Sequence, residues 1–215
     1  MTQTTAPEAA PLLPPLAVGD YVVMEHFLTL QGEGAFAGTP AYFIRLGGCD
    51  VGCHWCDVKD SWHANWPVLS ADALADAAAA TGVRHAVITG GEPTLHDLGP
   101  LAAALRARGL RAHLETSGTN PLGAAELDWV TFSPKKFKAP LPEYYAKADE
   151  LKVIVHNRHD LVWAEGHAAQ VRPSCLRLLQ PEWYTPESAQ WVVAYCLSHP
   201  TWRMSVQTHK HLNIP

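Results

Sequence analysis

Short apolar runs and helix-length segments take turns along most of this sequence. Tyr21–Leu30 and Ala41–Leu46 are β-rich, with Gly32-Glu33-Gly34 and Gly38-Thr39-Pro40 forming a turn-rich link between them. Ser70 offers an N-cap to an Ala-rich helix that Gly82 stops. His85–Thr89 predicts a strand, Leu98–Arg108 a helix closed by Gly109, and Leu110–Leu114 and Trp129–Phe132 two more strands. Leu151–Val155 predicts a strand, followed by a helix from His159 to about Ala168. Leu176–Leu179 predicts another strand, Pro186–Ser198 a helix and Trp202–Gln207 a last strand. Such alternation means βαβ units and a mostly parallel sheet. A full eightfold barrel takes about 250 residues, and this chain has 215. The expected class is therefore α/β, a partial, open barrel of (β/α)6 type.

Composition bounds the remaining possibilities. The chain is 47% hydrophobic and 17% charged, so it carries enough apolar surface for one packed core and is not disordered throughout. Residues 1–20 are rich in Ala, Pro and Thr and contain neither Lys nor Arg, which predicts a flexible leader before a single domain over 21–215. The leader lacks the basic start and unbroken apolar stretch of a secretory signal, so the expected location is cytoplasmic. A net charge of −5 argues against a nucleic-acid partner, which calls for a basic face. No apolar run approaches the roughly 20 residues of a membrane-spanning helix.

In open α/β sheets and barrels, ligands bind beyond the carboxyl ends of the strands. The unusual short motifs fall there: Gly90-Gly91-Glu92-Pro93, Glu115-Thr116-Ser117-Gly118, Ser133-Pro134-Lys135 and Gln180-Pro181. Glycine lets a ligand approach the backbone closely, and proline fixes the turn. Thr116 and Ser117 supply hydroxyls suited either to a ligand or to capping the next helix.

One loop carries metal chemistry. Cys49, Cys53 and Cys56 follow directly on a strand with Cys-x3-Cys-x2-Cys spacing. Three thiolates in one loop suit an iron–sulfur cluster, zinc or copper(I). Structural zinc takes four ligands, usually as two separated pairs, and no second pair exists here. Cys175 and Cys196 are isolated and read as small core residues. Three thiolates on a four-iron cube leave one iron open to a further ligand. Trp55, between His54 and Cys56, sits where it would shield such a cluster or lie as a lid.

Arg45 lies inside the apolar run Ala41-Tyr42-Phe43-Ile44-Arg45-Leu46. An isolated buried charge is costly, so it needs an anion: either a nearby carboxylate such as Glu33, or a substrate carboxylate held by the guanidinium fork. The C-terminal segment Gln207-Thr208-His209-Lys210 to Pro215 either frays or folds back, offering its α-carboxylate as an acceptor.

The cysteine spacing, with an aromatic residue before the last Cys, resembles the radical SAM superfamily. Six further segments narrow the resemblance to the 7-carboxy-7-deazaguanine synthase family: Leu30-Gln31-Gly32-Glu33-Gly34, Ala41 to Arg45, Thr89-Gly90-Gly91-Glu92-Pro93, Glu115 to Gly118, Ser133-Pro134-Lys135 and the Gln207-Thr208-His209-Lys210 ending. Together these cover nearly all the chain after residue 20. The resemblance implies ring contraction of 6-carboxy-5,6,7,8-tetrahydropterin, with loss of ammonia, by a radical from S-adenosylmethionine. It implies a [4Fe–4S] cluster on Cys49, Cys53 and Cys56. S-adenosylmethionine would meet Trp55, Cys56, Asp57, Gly91, Thr116, Ser117, Ser133, Pro134, Lys135, Gln180, Pro181, Glu182 and Trp183. The pterin would meet Leu30, Gln31, Gly32, Glu33, Arg45, Thr89, His209 and Pro215. An electron donor such as flavodoxin and a homodimeric assembly are also implied. Many relatives place Thr two residues after the last cluster Cys to bind Mg2+. This chain has Val58, with no oxygen on its side chain, so either Asp57 with water and substrate holds the ion or a cation such as Lys59 replaces it. A glycyl-radical activase and a zinc-binding interaction module share the cysteine spacing and stay open at this level.

Overall fold

A computed structural model describes residues 12–215. Its centre is one nine-stranded sheet in the order β3-β1-β2-β4-β5-β6-β7-β8-β9. The strands are β1 (Asp20–Leu30), β2 (Pro40–Leu46), β3 (Val68–Ser70), β4 (His85–Gly90), β5 (Arg111–Thr116), β6 (Trp129–Phe132), β7 (Glu150–Val155), β8 (Leu176–Pro181) and β9 (Trp202–Met204). From β2 to β9 all pairings are parallel, whereas β1 pairs antiparallel with both β2 and β3. The sheet has two free edges, β3 and β9, so the barrel is open, as expected. The short edge strand β3 was not expected. Three residues beside a helix cap are too few for a β pattern to register.

The helices are α1 (Ala71–Ala80), α2 (Gly99–Ala107), α3 (Glu143–Lys147), α4 (His159–Ala168), α5 (Pro186–Ser198) and α6 (Thr208–Leu212). Ser70 caps α1 by accepting from the Ala73 amide at 3.2 Å. Each parallel crossover carries a helix except β5 to β6, which is a loop. Thr116 and Ser117 therefore have no following helix to cap. The last strand also stops early. Trp202–Met204 pairs with β8, and the chain then turns into α6 where Trp202–Gln207 had been expected as strand throughout.

Alternation along each strand sorts the two faces. Leu151, Val153 and Val155 point to the helical layer and are fully buried, joining Leu114, Ile88 and Ile44 in the main core. Glu150, Lys152 and Ile154 take the opposite face, toward the barrel interior. Polar interior residues on a strand whose other face is apolar mark a site, because nothing in the core needs them. The expected leader divides: residues 1–11 lie outside the described residues, and Leu13 lies against Gly48 of the cysteine loop. Among the described residues no helix is long and apolar enough to cross a membrane.

Candidate active site at the strand ends

A cavity of about 270 Å³ opens at the carboxyl ends of the parallel strands. Its wall holds all the residues singled out above for cluster, cofactor or substrate except Pro134. Pro134 shapes the corner without reaching the cavity.

The cysteine loop is fastened at several points. Gly48 donates to the Ser61 carbonyl at 2.8 Å and accepts from the Glu92 amide at 2.9 Å, and a ring nitrogen of His96 meets the Gly47 carbonyl at 3.0 Å. Gly91 packs directly beneath the loop. A Cβ there would stand 2.3 Å from the Gly48 oxygen and 2.7 Å from the Cys49 Cβ, so only glycine fits. Cys49, Cys53 and Cys56 all face the cavity, while Cys175 and Cys196 do not. Among the described residues, no three Cys, His, Asp or Glu side chains stand close enough to hold a single metal ion. Three loop thiols, with no fourth beside them among the described residues, suit a cluster with one open position.

Beside the thiols, Glu92 is 2% exposed and organises two strand ends. Its carboxylate accepts from the Thr94 amide (3.1 Å) and hydroxyl (2.6 Å), the Thr116 hydroxyl (2.5 Å), the Ser117 amide (2.8 Å) and the Ser117 hydroxyl. Thr116 and Ser117 line the cavity, and their hydroxyls are spent on Glu92. Lys135 donates to the Ser133 carbonyl at 2.9 Å and lies 5.7 Å from the Trp55 ring centroid. Gln180 accepts from the Ser205 hydroxyl at 2.8 Å, and Glu182 from the Thr185 hydroxyl at 2.6 Å. Trp183, 40% exposed, forms the outer rim under Lys210.

Arg45 and Thr89 are register partners on β2 and β4. Arg45 pairs with Glu25 at 2.6 Å, not with Glu33. The cross-strand neighbour on antiparallel β1 lies opposite it, which sequence distance did not reveal. Glu33 instead pairs with Lys152. The Lys152 ammonium lies 2.6 Å from Glu33 and 2.8 Å from Glu115, with 5% of its side chain exposed. Burial pushes the Glu33 carboxyl up, but the Lys152 charge and the hydrogen bonds from Lys152 and Gln207 overcome this and hold it at about 2. Glu115 behaves oppositely. Burial, opposed by Lys152 but reinforced by Glu150 and Glu33, pushes it up to about 7.

The C-terminal segment folds back over this end. Thr208 donates its amide and hydroxyl to the Gly32 carbonyl, both at 2.9 Å, and Lys210 pairs with Asp57 at 2.6 Å. His209 lies so close to Gly32 that a Cβ there would stand 2.1 Å from Nδ1. The Pro215 carbonyl accepts from the Thr29 hydroxyl at 3.0 Å. Val58 lines the cavity, whereas Lys59 is exposed and does not.

Glu92, Glu115, Lys152, Gln207 and Lys210 also line the cavity, though sequence reasoning had assigned them no role. For Lys152 the signal was present. A cation inside Leu151-Lys152-Val153-Ile154-Val155 raises the same question that Arg45 raises in its own strand.

Comparison with known proteins gives a consistent picture. The Radical SAM superfamily profile matches residues 43–153. The chain is similar to 7-carboxy-7-deazaguanine synthase of Flavobacterium psychrophilum, with 49% identity covering 90% of this chain and 92% of that protein. It is likewise similar to the Escherichia coli K12 protein of that name, with 36% identity covering 90% and 99%. The crystal structure of QueE from Escherichia coli superposes with a TM-score of 0.80 at 34% identity, covering 88% of this chain and 95% of that one.

Proposed function

The chain belongs to the 7-carboxy-7-deazaguanine synthase family of the radical SAM superfamily, and from that premise we propose how its own residues divide the work. It is an enzyme of 7-deazapurine biosynthesis, contracting the ring of 6-carboxy-5,6,7,8-tetrahydropterin to 7-carboxy-7-deazaguanine with release of ammonia. Its cofactors are a [4Fe–4S] cluster and S-adenosylmethionine, which when bound supply the 5′-deoxyadenosyl radical.

The observation that supports the division of roles is that three loop thiols and a buried charge cluster line one cavity. Cys49, Cys53 and Cys56 hold the cluster. Gly91, the Ser133-Pro134-Lys135 corner and the Gln180 to Trp183 strand end receive S-adenosylmethionine, Pro134 by setting the corner alone. Thr116 and Ser117 act through Glu92, whose carboxylate they fix against the cysteine loop. Leu30 to Glu33, Arg45, Thr89, His209 and Pro215 hold the pterin. Among the described residues Arg45 bonds Glu25 through its Nε, which leaves its two terminal nitrogens for a substrate carboxylate. A magnesium ion beside that carboxylate would draw on Asp57, which would have to give up its pairing with Lys210. An electron donor such as flavodoxin, a homodimeric assembly and a cytoplasmic location complete the reading.

The test is anaerobic turnover of the reconstituted enzyme with substrate and reductant, read by mass spectrometry. The expected product is 7-carboxy-7-deazaguanine. Cofactor cleavage without a deazapurine would sink the reading and favour the activase alternative, and a protein that takes up zinc but no iron would favour the binding module. A second expectation concerns Arg45→Ala. Truncating one partner of a buried ion contact costs about 2–5 kcal/mol, or more than tenfold in KM. Uncoupled cofactor cleavage should persist, because Arg45 belongs to β2, whereas Lys135 and Gln180 come from the ends of β6 and β8. An unchanged KM would remove Arg45 from the substrate site.

A further inference from the structure

The polar floor of the cavity is built around one ammonium and an excess of carboxylates. Lys152 bonds Glu33 and Glu115, and Glu150 lies behind them, accepting from the Ala35 amide at 2.9 Å and the Thr131 hydroxyl at 3.2 Å. Glu33 and Glu115 line both the main cavity and a smaller space, and Glu150 lines the smaller one alone. Lys152 neutralises one of these charges and leaves the others in surplus. Two like charges in one buried site do not both ionise freely, so the cluster retains a proton.

The lone-pair count indicates what the site is made to receive. An ionised carboxylate offers about four acceptor positions. Glu115 uses one oxygen on Lys152 and the other, at 3.3 Å, on the Gln31 amide. Glu33 uses one on Lys152 and the other on Gln207 at 2.8 Å. Each keeps acceptor capacity on a side chain that lines the cavity, where a ligand with adjacent N–H donors would meet it. The aminopyrimidinone end of a pterin has such an edge, a ring N–H beside an exocyclic amino group. Resting on the reading above, we propose that Glu115 is a further substrate-binding residue, which accepts the N–H edge of the pterin and releases its proton to solvent when that edge binds. Lys152 is the positioning residue that holds Glu115 opposite Glu33. No covalent bond of the substrate changes in this step; a carboxylic acid becomes a carboxylate with new donors.

The charged and titratable groups around Glu115 are Lys152 and Glu150 on β7, Glu33 after β1 and His113 on its own strand. Beyond Glu33 lies His209 on α6, and beyond Lys152 lies Lys135. Burial pushes Glu115 to about 7, so the proton is held near neutral pH.

Calorimetry tests this on the reconstituted enzyme with S-adenosylmethionine and no reductant, titrated anaerobically with 6-carboxy-5,6,7,8-tetrahydropterin. Two buffers of different ionisation enthalpy report protons released on binding. About half a proton should be released near pH 7, rising toward one at lower pH and falling to none well above it. In Glu115→Gln the release should vanish and affinity should fall about tenfold, because a charge-assisted acceptor is lost. His209→Gln should retain the release. Binding with no buffer-dependent enthalpy between pH 6 and 8, or release that survives Glu115→Gln, overturns the assignment. Release that survives there but disappears in Glu150→Gln overturns it too and places the proton on Glu150. A protein that makes the deazapurine yet releases no proton refutes this inference alone. One that makes no deazapurine refutes the functional reading first.

Discussion

Cys53→Ala should leave a folded protein with little iron and no measurable turnover. The loss should exceed the roughly 10- to 100-fold that removal of an outer-shell partner costs a metal site, because a thiolate ligand is itself removed and the other two cannot close around a cube. Cys49→Ala and Cys56→Ala should behave alike, since all three thiols face one cavity. Cys175→Ala is the contrast. It is 5% exposed in the main core and does not line the cavity, so its removal should cost about 1 kcal/mol of stability and leave the iron content unchanged. The measurement is iron and acid-labile sulfide per chain after anaerobic reconstitution. A Cys53→Ala protein with a full complement of iron would remove this loop as the cluster site.

The division of five cysteines into three and two was legible in the sequence, because spacing within one loop is local information. So were most strands and helices. The parallel strands of this fold are apolar on the face toward the helices, and their ends carry glycine and proline, which both periodicity and turn chemistry register. Pairing across the sheet was not legible. Arg45 meets Glu25 because β1 runs antiparallel to β2 in a particular register, and Glu33 meets Lys152 across 119 positions of chain. The hydroxyls of Thr116 and Ser117 turn to Glu92 because β4 and β5 are neighbours and no helix follows β5. Tryptophan was the least legible residue. Trp129 lies with Phe36 and His113 at the floor of the barrel, Trp202 donates to Glu165 at 2.7 Å, and Trp191 lies under Arg158. These are packing roles that depend on which helices lie side by side. The charged floor falls between the two cases. Lys152 interrupts an apolar strand and so announces itself, but only the sheet order shows that Glu33, Glu115 and Glu150 meet it.

Lys152→Met makes that floor measurable in the folded state itself. Methionine is close to lysine in length and fills the space, but it leaves Glu33 and Glu115 facing each other without a counter-ion. Removing one partner of a buried charge pair costs about 3–5 kcal/mol, and at about 2–4 °C per kcal/mol for a chain of this size the midpoint should fall by about 10 °C near pH 8. The dependence on pH carries the sign. In the native protein Glu33 titrates at about 2, below its ordinary 4.5, so it contributes stability above pH 4.5 that is lost as pH falls toward 2. Glu115, at about 7, follows the opposite course: the folded state favours its proton, and this contribution is full below 4.5 and lost as pH rises through 7. Without Lys152 both carboxyls follow the second course. The deficit of the variant relative to the native chain should therefore be largest near pH 8 and shrink markedly by about pH 5. Thermal unfolding of the two proteins side by side at both pH values checks it, since titrating groups that do not feel Lys152 cancel in the difference, and Glu150, which does, shifts in the same direction as Glu33 and Glu115. Lys152→Arg should recover part of the loss by keeping the charge, and adding Glu115→Gln to Lys152→Met should recover part of it by removing the repulsion. A deficit of equal size at both pH values would mean that Lys152 matters through packing alone, and that the carboxylates beneath the substrate do not depend on it for their charge.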